Sequence, residues 1–373
     1  MTVAGHHDPA FAGVRALIAE QIADGRDLGC AVAVYLDGRP VVDLWAGVAD
    51  RRSGRPWEHD TSCLTYSCTK AVTATAALAV SAATGIDVLD PVTRWWPEYA
   101  AHGKGSTTLA DLLAHRAGLP AFEDPVTAEQ ATDPAALAAR LAAQRPLWEP
   151  GTRHGYHALT FGWLAGEFVR RRSGRTVADY VRESFDPALC LGVPPPTAAR
   201  ATFPAGVTRR ADAGDDAAAR LARAYADPGS LMMRGSMNPT PSFSDPVVQA
   251  GGWPAAGLFT TARALAGFYR DLVGGALLPG SVLREATREQ VRGPDEVLLL
   301  TSTFGLGYML PSPTMPLPAA ARAAFGHPGA GGSLGLADAE HSLAFAYVTN
   351  LRRDARDGDR RAYDLVEAVY AAL

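Results

Sequence analysis

The chain carries a serine and a lysine three residues apart, Tyr66-Ser67-Cys68-Thr69-Lys70, at the head of a stretch with helical spacing. Residues i and i+3 share a helix face, so the hydroxyl and the amine come within reach of each other. A serine hydroxyl is a weak nucleophile until something takes its proton. A lysine in a partly apolar pocket has a lowered pKa and can serve as that base or support it. The start of a helix adds free N–H groups and a dipole, both suited to a developing oxyanion. The chemistry this spacing allows is acyl transfer through a serine ester. By itself S-x-x-K is a short pattern that recurs by chance, and its bland reading is an N-capping serine before a surface lysine.

A second serine competes. Gly331-Gly332-Ser333-Leu334-Gly335 fits G-x-S-x-G, which in α/β-hydrolases sets the nucleophile on a strand–turn–helix elbow. The residues after Ser333 read as β, and the chain lacks regular β–α alternation, so Ser333 is read as structural. No H-E-x-x-H or Cys/His cluster suggests a metal, and no G-x-x-x-x-G-K-[ST] suggests a nucleotide. His6 and His7 belong to a loose terminus. Asp212, Asp215 and Asp216 form an acidic surface run. Trp148, Trp253, Phe243, Met232 and Met233 either line a pocket or pack in the core.

Bulk properties exclude other classes. With 35 basic against 39 acidic residues the formal net charge is −4, which argues against nucleic acid or an anionic membrane as partner. No apolar run reaches the roughly 18 residues of a spanning helix. Residues 1–12 lack a basic segment followed by an apolar run, so the expectation is a cytoplasmic protein with reduced thiols. Cys30, Cys63, Cys68 and Cys190 match no C-x-x-C pattern.

The elements that must position Ser67 and Lys70 follow from periodicity. Val14, Leu17, Ile18 and Ile22 mark an amphipathic helix over 11–22. Two β-rich runs, 30–36 and 41–48, flank Asp37-Gly38 and read as a hairpin. Helices are predicted over 67–83, ended by Gly85, and over 108–115, 133–144, 159–172, 177–185 and 262–273. Residues 197–248 have weak periodicity and many Pro and Gly, and read as a loop-rich lobe. Strands are predicted at 305–310, within 325–339 and at 343–349, and a helix over 364–373. For 373 residues, either two or three domains or one sheet built from both ends with a helical insertion satisfies this order.

Seven segments in order carry a family resemblance: GRPVV at 38–42, TYSCTK at 65–70, TLADLLAHRAGLP at 108–120, PGTRHGY at 150–156, GLFTTA at 257–262, FGLGY at 304–308 and FGHPGAGG at 325–332. The chain resembles the serine β-lactamase and penicillin-binding protein superfamily, nearest the family VIII carboxylesterases and class C-like acyl-transferases. The resemblance implies an α/β serine β-lactamase-like fold, an antiparallel sheet flanked by helices plus a mainly helical second domain. Residues 1–60 and 255–373 would form the α/β sandwich domain and 61–254 the helical, loop-rich one. Ser67 would be the nucleophile, with Lys70 and Tyr156 managing the proton and no cofactor. A phenol near its ordinary pKa of about 10 needs a cationic neighbour to ionise, and Lys70 would supply it. His327 stands where the superfamily has the Lys of K-T-G, and would donate a hydrogen bond or carry charge. Gly329 and Ala330 would let substrate approach the strand edge, with Ser67 N–H and Ala330 N–H as oxyanion hole. His115 would make a structural hydrogen bond.

Two departures bear on activity. Ala158 replaces the Asn of Y-x-N, and His327 replaces Lys; both count against a β-lactamase or D,D-peptidase. The resemblance therefore points to a carboxylesterase, or to an acyl-transferase in which an amine or alcohol acceptor replaces water, acting on a small-molecule or natural-product ester. Some similar proteins serve secondary metabolism. A non-catalytic acyl or β-lactam sensor is the rival of another class, and the joint presence of Ser67, Lys70 and Tyr156 counts against it.

Overall fold

Asp37 and Gly38 both take positive φ, 49° and 75°, the conformation that lets a two-residue turn match the twist of its flanking strands. They join Gly29–Leu36 to Arg39–Asp50, paired antiparallel with Leu36 opposite Arg39. This hairpin seeds a sheet completed by the far end of the chain. Leu343–Thr349 pairs with Gly29–Leu36, and Leu334–Asp338 and Ala324–Pro328 follow outward. Ala4–His7 closes the other edge, and Arg55–Pro56 adds a short strand beside Arg39–Asp50. The structure is a computed structural model, and it describes residues 2–202, 216–353 and 359–373.

Side-chain alternation gives the sheet two unlike faces. Ala31, Ala33, Ala344 and Ala346 face the same core as Leu265, Phe268 and Leu272, so the helix Ala262–Val273 lies close on a floor of small side chains. Val32, Val34, Leu44, Leu336 and Phe345 face the other way, packing with Val14 and Ile18 of Ala12–Ala23 and with Leu365, Val366 and Val369 of Arg361–Tyr370. The expected α/β serine β-lactamase-like fold, an antiparallel sheet between helices with a helical region, is the fold observed.

The helix Thr69–Thr84 stands between sheet and helical region, touching both the strand Ala324–Pro328 and the helix Thr160–Ser173. Its small side chains allow this. Twelve of its sixteen residues are buried. A Cβ on Gly307, itself at φ +81°, would come within 2.3 Å of the Ala74 Cβ. Buried hydroxyls are met locally: Thr75 donates to Ala71 O and meets Tyr308 Oη at 2.8 Å, and Thr73 donates to Pro254 O. Gly85, at φ +66°, ends the helix as its spacing predicts.

Three readings of the sequence need correction. His6 and His7, read as a loose terminus, lie in the edge strand Ala4–His7, opposite Asp43 and Val42. The strand expected at 305–310 lies instead at Thr301–Phe304, because Gly305 N–H bonds to Tyr308 O and turns the chain; Met309 rejoins the sheet edge by a bridge to Gly326. The lobe 197–248 is more helical than expected. It holds Asp216–Ala226, Leu231–Met237 and Pro246–Ala250. Ser230 and Asp245 cap the latter two, signals that weak apolar periodicity hid. Residues 203–215 of that lobe lie outside the described residues, as do Asp212 and Asp215. No helix among the described residues is long and apolar enough to cross a membrane.

One buried ion pair ties the two chain ends together. Arg361 Nη1 donates to Asp27 Oδ1 at 3.2 Å, and Nη2 donates to Gly331 O and Leu351 O at 2.8 and 3.0 Å. Asp27 also accepts from the hydroxyls of Tyr347 and Thr349. Removing one partner of such a pair leaves the other charge buried and uncompensated. Arg361→Leu is therefore expected to lower the unfolding free energy by about 3–5 kcal/mol, read as a shifted urea midpoint at constant slope; a loss under about 1 kcal/mol would contradict the assignment.

Candidate active site

Ser67 lies just before the regular helix, in a turn closed by Lys70 N–H donating to Ser67 O at 3.0 Å. Three features hold that turn. Tyr66 takes a positive φ of 47°. Thr69 Oγ1 donates to Tyr66 O while accepting from Leu258 N–H. Cys63–Leu64 pairs with Leu258–Thr260. The half-buried serine is thus presented by a strap between a short strand and a helix, not by a helix face alone.

Lys70 is fully buried. Its Nζ lies 3.2 Å from Ser67 Oγ, 2.7 Å from Ala158 O and 3.0 Å from Ala255 O. A neutral amine has two N–H bonds and one lone pair. The two carbonyls take both N–H bonds, and the lone pair is left facing the Ser67 hydroxyl. After proton transfer the same three oxygens solvate an ammonium. Burial holds the Lys70 pKa well below that of an ordinary lysine, which favours the form able to accept.

Tyr156 comes from a distant segment to the same spot. Lys70 Nζ is 4.7 Å from its ring centroid. Burial pushes the phenol above its ordinary pKa, a hydrogen bond with Ser67 acting the other way. Burial thus disfavours the charged form of both groups, and Lys70 is not among the influences that lower the Tyr156 pKa.

His327 ends the strand Ala324–Pro328, its ring centroid 5.8 Å from that of Tyr156. Its Nδ1 lies 2.7 Å from Pro328 O, an acceptor, so Nδ1 carries the hydrogen and Nε2 is left with a lone pair. Nε2 is buried without a partner among the described residues. Burial, then Lys70, push the His327 pKa down to about 3. The sequence suggested a donor or a charge at this position; the geometry gives a neutral acceptor. Gly329 fits tightly beneath, since a Cβ there would meet Thr65 O at 2.1 Å. The Cys68 thiol donates to His327 O at 3.2 Å, so strand end and Ser67 turn are pinned together. Ala330 is exposed at the tip of the following turn.

The structure thus brings Ser67, Lys70, Tyr156 and His327 together and sets Gly329 against the Ser67 turn. Ser333 is elsewhere in role: its hydroxyl accepts from Thr349 N–H at 3.4 Å, and a strand, Leu334–Asp338, follows it. His115 does make a structural bond, Nδ1 accepting from His157 N–H at 3.0 Å. His157 then donates from Nδ1 to Gly155 O and accepts at Nε2 from Leu119 N–H. What the sequence concealed is the pair of carbonyls on Lys70. Main-chain oxygens leave no residue-type signal, and Ala158 and Ala255 look inert. The four cysteines carry free thiols.

A serine on a turn before a helix, a buried lysine one coil on, a tyrosine from a distant segment and a histidine at a strand end thus meet at one place in the structure. The family model described as Beta-lactamase matches residues 14–370, and the chain belongs to that family. It is 36% identical over 368 residues to the esterase/beta-lactamase LipL of Mycobacterium tuberculosis, across 93% of this chain and 83% of that protein. Its fold matches the crystal structure of a family VIII carboxylesterase with a TM-score of 0.87 at 31% identity, covering 100% of both chains. EstA from Arthrobacter nitroguajacolicus matches with a TM-score of 0.85 at 29% identity, covering 100% of this chain and 98% of that one.

A proton acceptor with a lowered pKa works once pH exceeds that pKa. The ester-hydrolysis rate is therefore expected to rise with pH and level off below the ordinary lysine pKa of about 10, measured as kcat/KM from about pH 5 to 10. Lys70→Arg, whose group stays protonated, should lose about a thousandfold or more. A wild-type limb still climbing at the alkaline end would show an ordinary, charged lysine instead.

Proposed function

We propose that this protein is a carboxylesterase that forms an acyl-enzyme on Ser67. The observation that carries the reading is the Lys70 cradle, in which Nζ lies 2.7 Å from Ala158 O, 3.0 Å from Ala255 O and 3.2 Å from Ser67 Oγ, so that a neutral amine with both N–H bonds on the carbonyls turns its lone pair to Ser67. Ser67 Oγ attacks the ester carbonyl carbon as its proton passes to Lys70. Backbone N–H groups of Ser67 and Ala330 hold the oxyanion. Collapse breaks the C–O bond, and the leaving alkoxide takes a proton from the Lys70 ammonium, with the Tyr156 O–H in the relay. Water repeats the sequence on the acyl-enzyme and frees the acid.

In this reading residues 1–60 and 255–373 are the α/β sandwich domain, 61–254 the helical one, and the site lies at their junction. Similarity to LipL and to a family VIII carboxylesterase supports ester substrates, with small-molecule or natural-product esters placed first. Two features weigh against β-lactam turnover. Ala158 offers no side-chain amide, and His327 offers no charge to a substrate carboxylate. Acyl transfer to an alcohol or amine is the variant in which another nucleophile displaces water from the acyl-enzyme.

The test is hydrolysis of p-nitrophenyl acetate and butyrate beside nitrocefin. Ser67→Ala should reduce ester turnover by about a thousandfold or more while Ser333→Ala retains it. A fluorophosphonate should label Ser67 by mass spectrometry. Nitrocefin turned over faster than either ester would make the protein a β-lactamase first. Product carrying an added alcohol or amine would establish the transferase variant. Labelling at Ser333 would remove the reading altogether.

A further inference from the structure

The mechanism asks Tyr156 to keep its phenol at Ser67 and Lys70, yet Tyr156 sits in an irregular segment, residues 151–158, with no regular secondary structure around it. On one side its neighbours are held by His115: Gly155 N–H donates to the main-chain His115 O at 3.1 Å, and His157 N–H donates to the ring nitrogen His115 Nδ1 at 3.0 Å. Its own N–H turns the other way, to the Oδ1 of Asp295 at 3.0 Å.

Asp295 is not a residue that surface economy would place there. Its side chain is fully buried. It begins the turn joining Val291–Pro294 to Thr301–Phe304, strands paired with Pro294 opposite Thr301. Oδ1 accepts from Val297 N–H at 2.9 Å and Leu298 N–H at 2.8 Å, which caps the turn. Oδ2 accepts from the Ser302 hydroxyl at 2.8 Å. Ser302 Oγ in turn lies 2.9 Å from His154 Nε2. With the Ser302 hydrogen given to Asp295, that His154 nitrogen is the donor. Glu296 N–H returns a bond to His154 O at 3.2 Å. One carboxylate thus joins two segments about 140 residues apart, holding Tyr156 directly and His154 through Ser302. Phe304, at the end of the second strand, stacks on the Tyr156 ring with centroids 6.2 Å apart and planes 8° from parallel. The hairpin therefore fixes both the backbone and the ring of the same tyrosine.

We infer that Asp295 is a positioning residue for Tyr156: by accepting the Tyr156 N–H across the two segments it sets the depth at which the phenol meets Ser67 and Lys70. The inference rests on the proposed function. A buried carboxylate is a costly way to cap a turn that a serine or asparagine could cap, and its extra acceptor capacity goes to the segment that carries the phenol.

The experiment is a double-mutant cycle with ester substrate, rates being counted per active site titrated by a fluorophosphonate. Asp295→Ala is expected to lower kcat about 10- to 100-fold with KM within about twofold, the size of loss a displaced catalytic group gives. Asp295→Asn, which keeps the acceptor oxygen, should recover most of it. In a Tyr156→Phe background, Asp295→Ala should cost less than about twofold, because the group it positions is already gone. Asp295→Ser, whose short hydroxyl can cap Val297 and Leu298 without bridging to Tyr156, should behave like Asp295→Ala and stands in for it if that variant does not fold. Losses that add in the Tyr156→Phe background, or an Asp295→Ser rate equal to wild type, would reduce Asp295 to a turn cap. If instead Ser67→Ala leaves wild-type hydrolysis intact, the proposed function itself has failed.

Discussion

Everything at this site turns on one amine enclosed by three oxygens. An isolated lysine in an apolar interior would be neutral but idle, its N–H bonds unmet. A lysine beside a carboxylate would be charged and unable to accept a proton. Lys70 meets neither fate because its partners are neutral: Ala158 O and Ala255 O accept its N–H bonds, and the Ser67 hydroxyl can give or accept the third. They suit the amine and the ammonium alike, so the proton can cross without the surroundings having to rearrange. The aromatic neighbours keep the same neutrality. Burial lowers the pKa values of His115, His157 and His327 and raises that of Tyr156.

The rest of the fold can be understood as keeping those oxygens in place. Ala255 precedes the short strand Leu258–Thr260 that holds the Ser67 turn, and Ala158 precedes the helix Thr160–Ser173 that packs on Thr69–Thr84. The close approach depends on small residues: a Cβ on Gly162 would meet Ala255 N at 2.6 Å. Alanine and threonine dominate Thr69–Thr84 for the same reason, since larger side chains would push the lysine away from at least one of its carbonyls.

Much of this was legible in the sequence, and the parts that were not share a cause. Residue types with periodic or positional meaning could be read: the Asp37-Gly38 hairpin, the helix ended by Gly85, the Ala262–Val273 helix, the Ser67/Lys70 spacing, and Tyr156 through its surrounding segment. Main-chain acceptors could not, because Ala158 and Ala255 contribute carbonyls that every residue has. Tautomer and charge could not either. His327 as a residue type permits a donor, an acceptor or a cation, and it is the position of Pro328 O that selects the acceptor. The lobe 197–248 misled because capping by Ser230 and Asp245, more than apolar spacing, defines its short helices.

The neutrality of His327 is coupled to that of Lys70. Each is buried, and a positive charge on one lowers the pKa of the other; Lys70 is second among the causes that depress His327. A permanent cation at position 327 would push the Lys70 proton off still more strongly, but it would also supply a fixed site for an anionic substrate group. With imidazole there, the proton is carried by one amine alone, and the strand edge offers a lone pair where a carboxylate would need a positive charge. The imidazole thus leaves no fixed positive charge at that strand edge. In physical terms that missing charge is what, in the proposed reading, sets this site apart from a centre built for anionic substrates on the same scaffold.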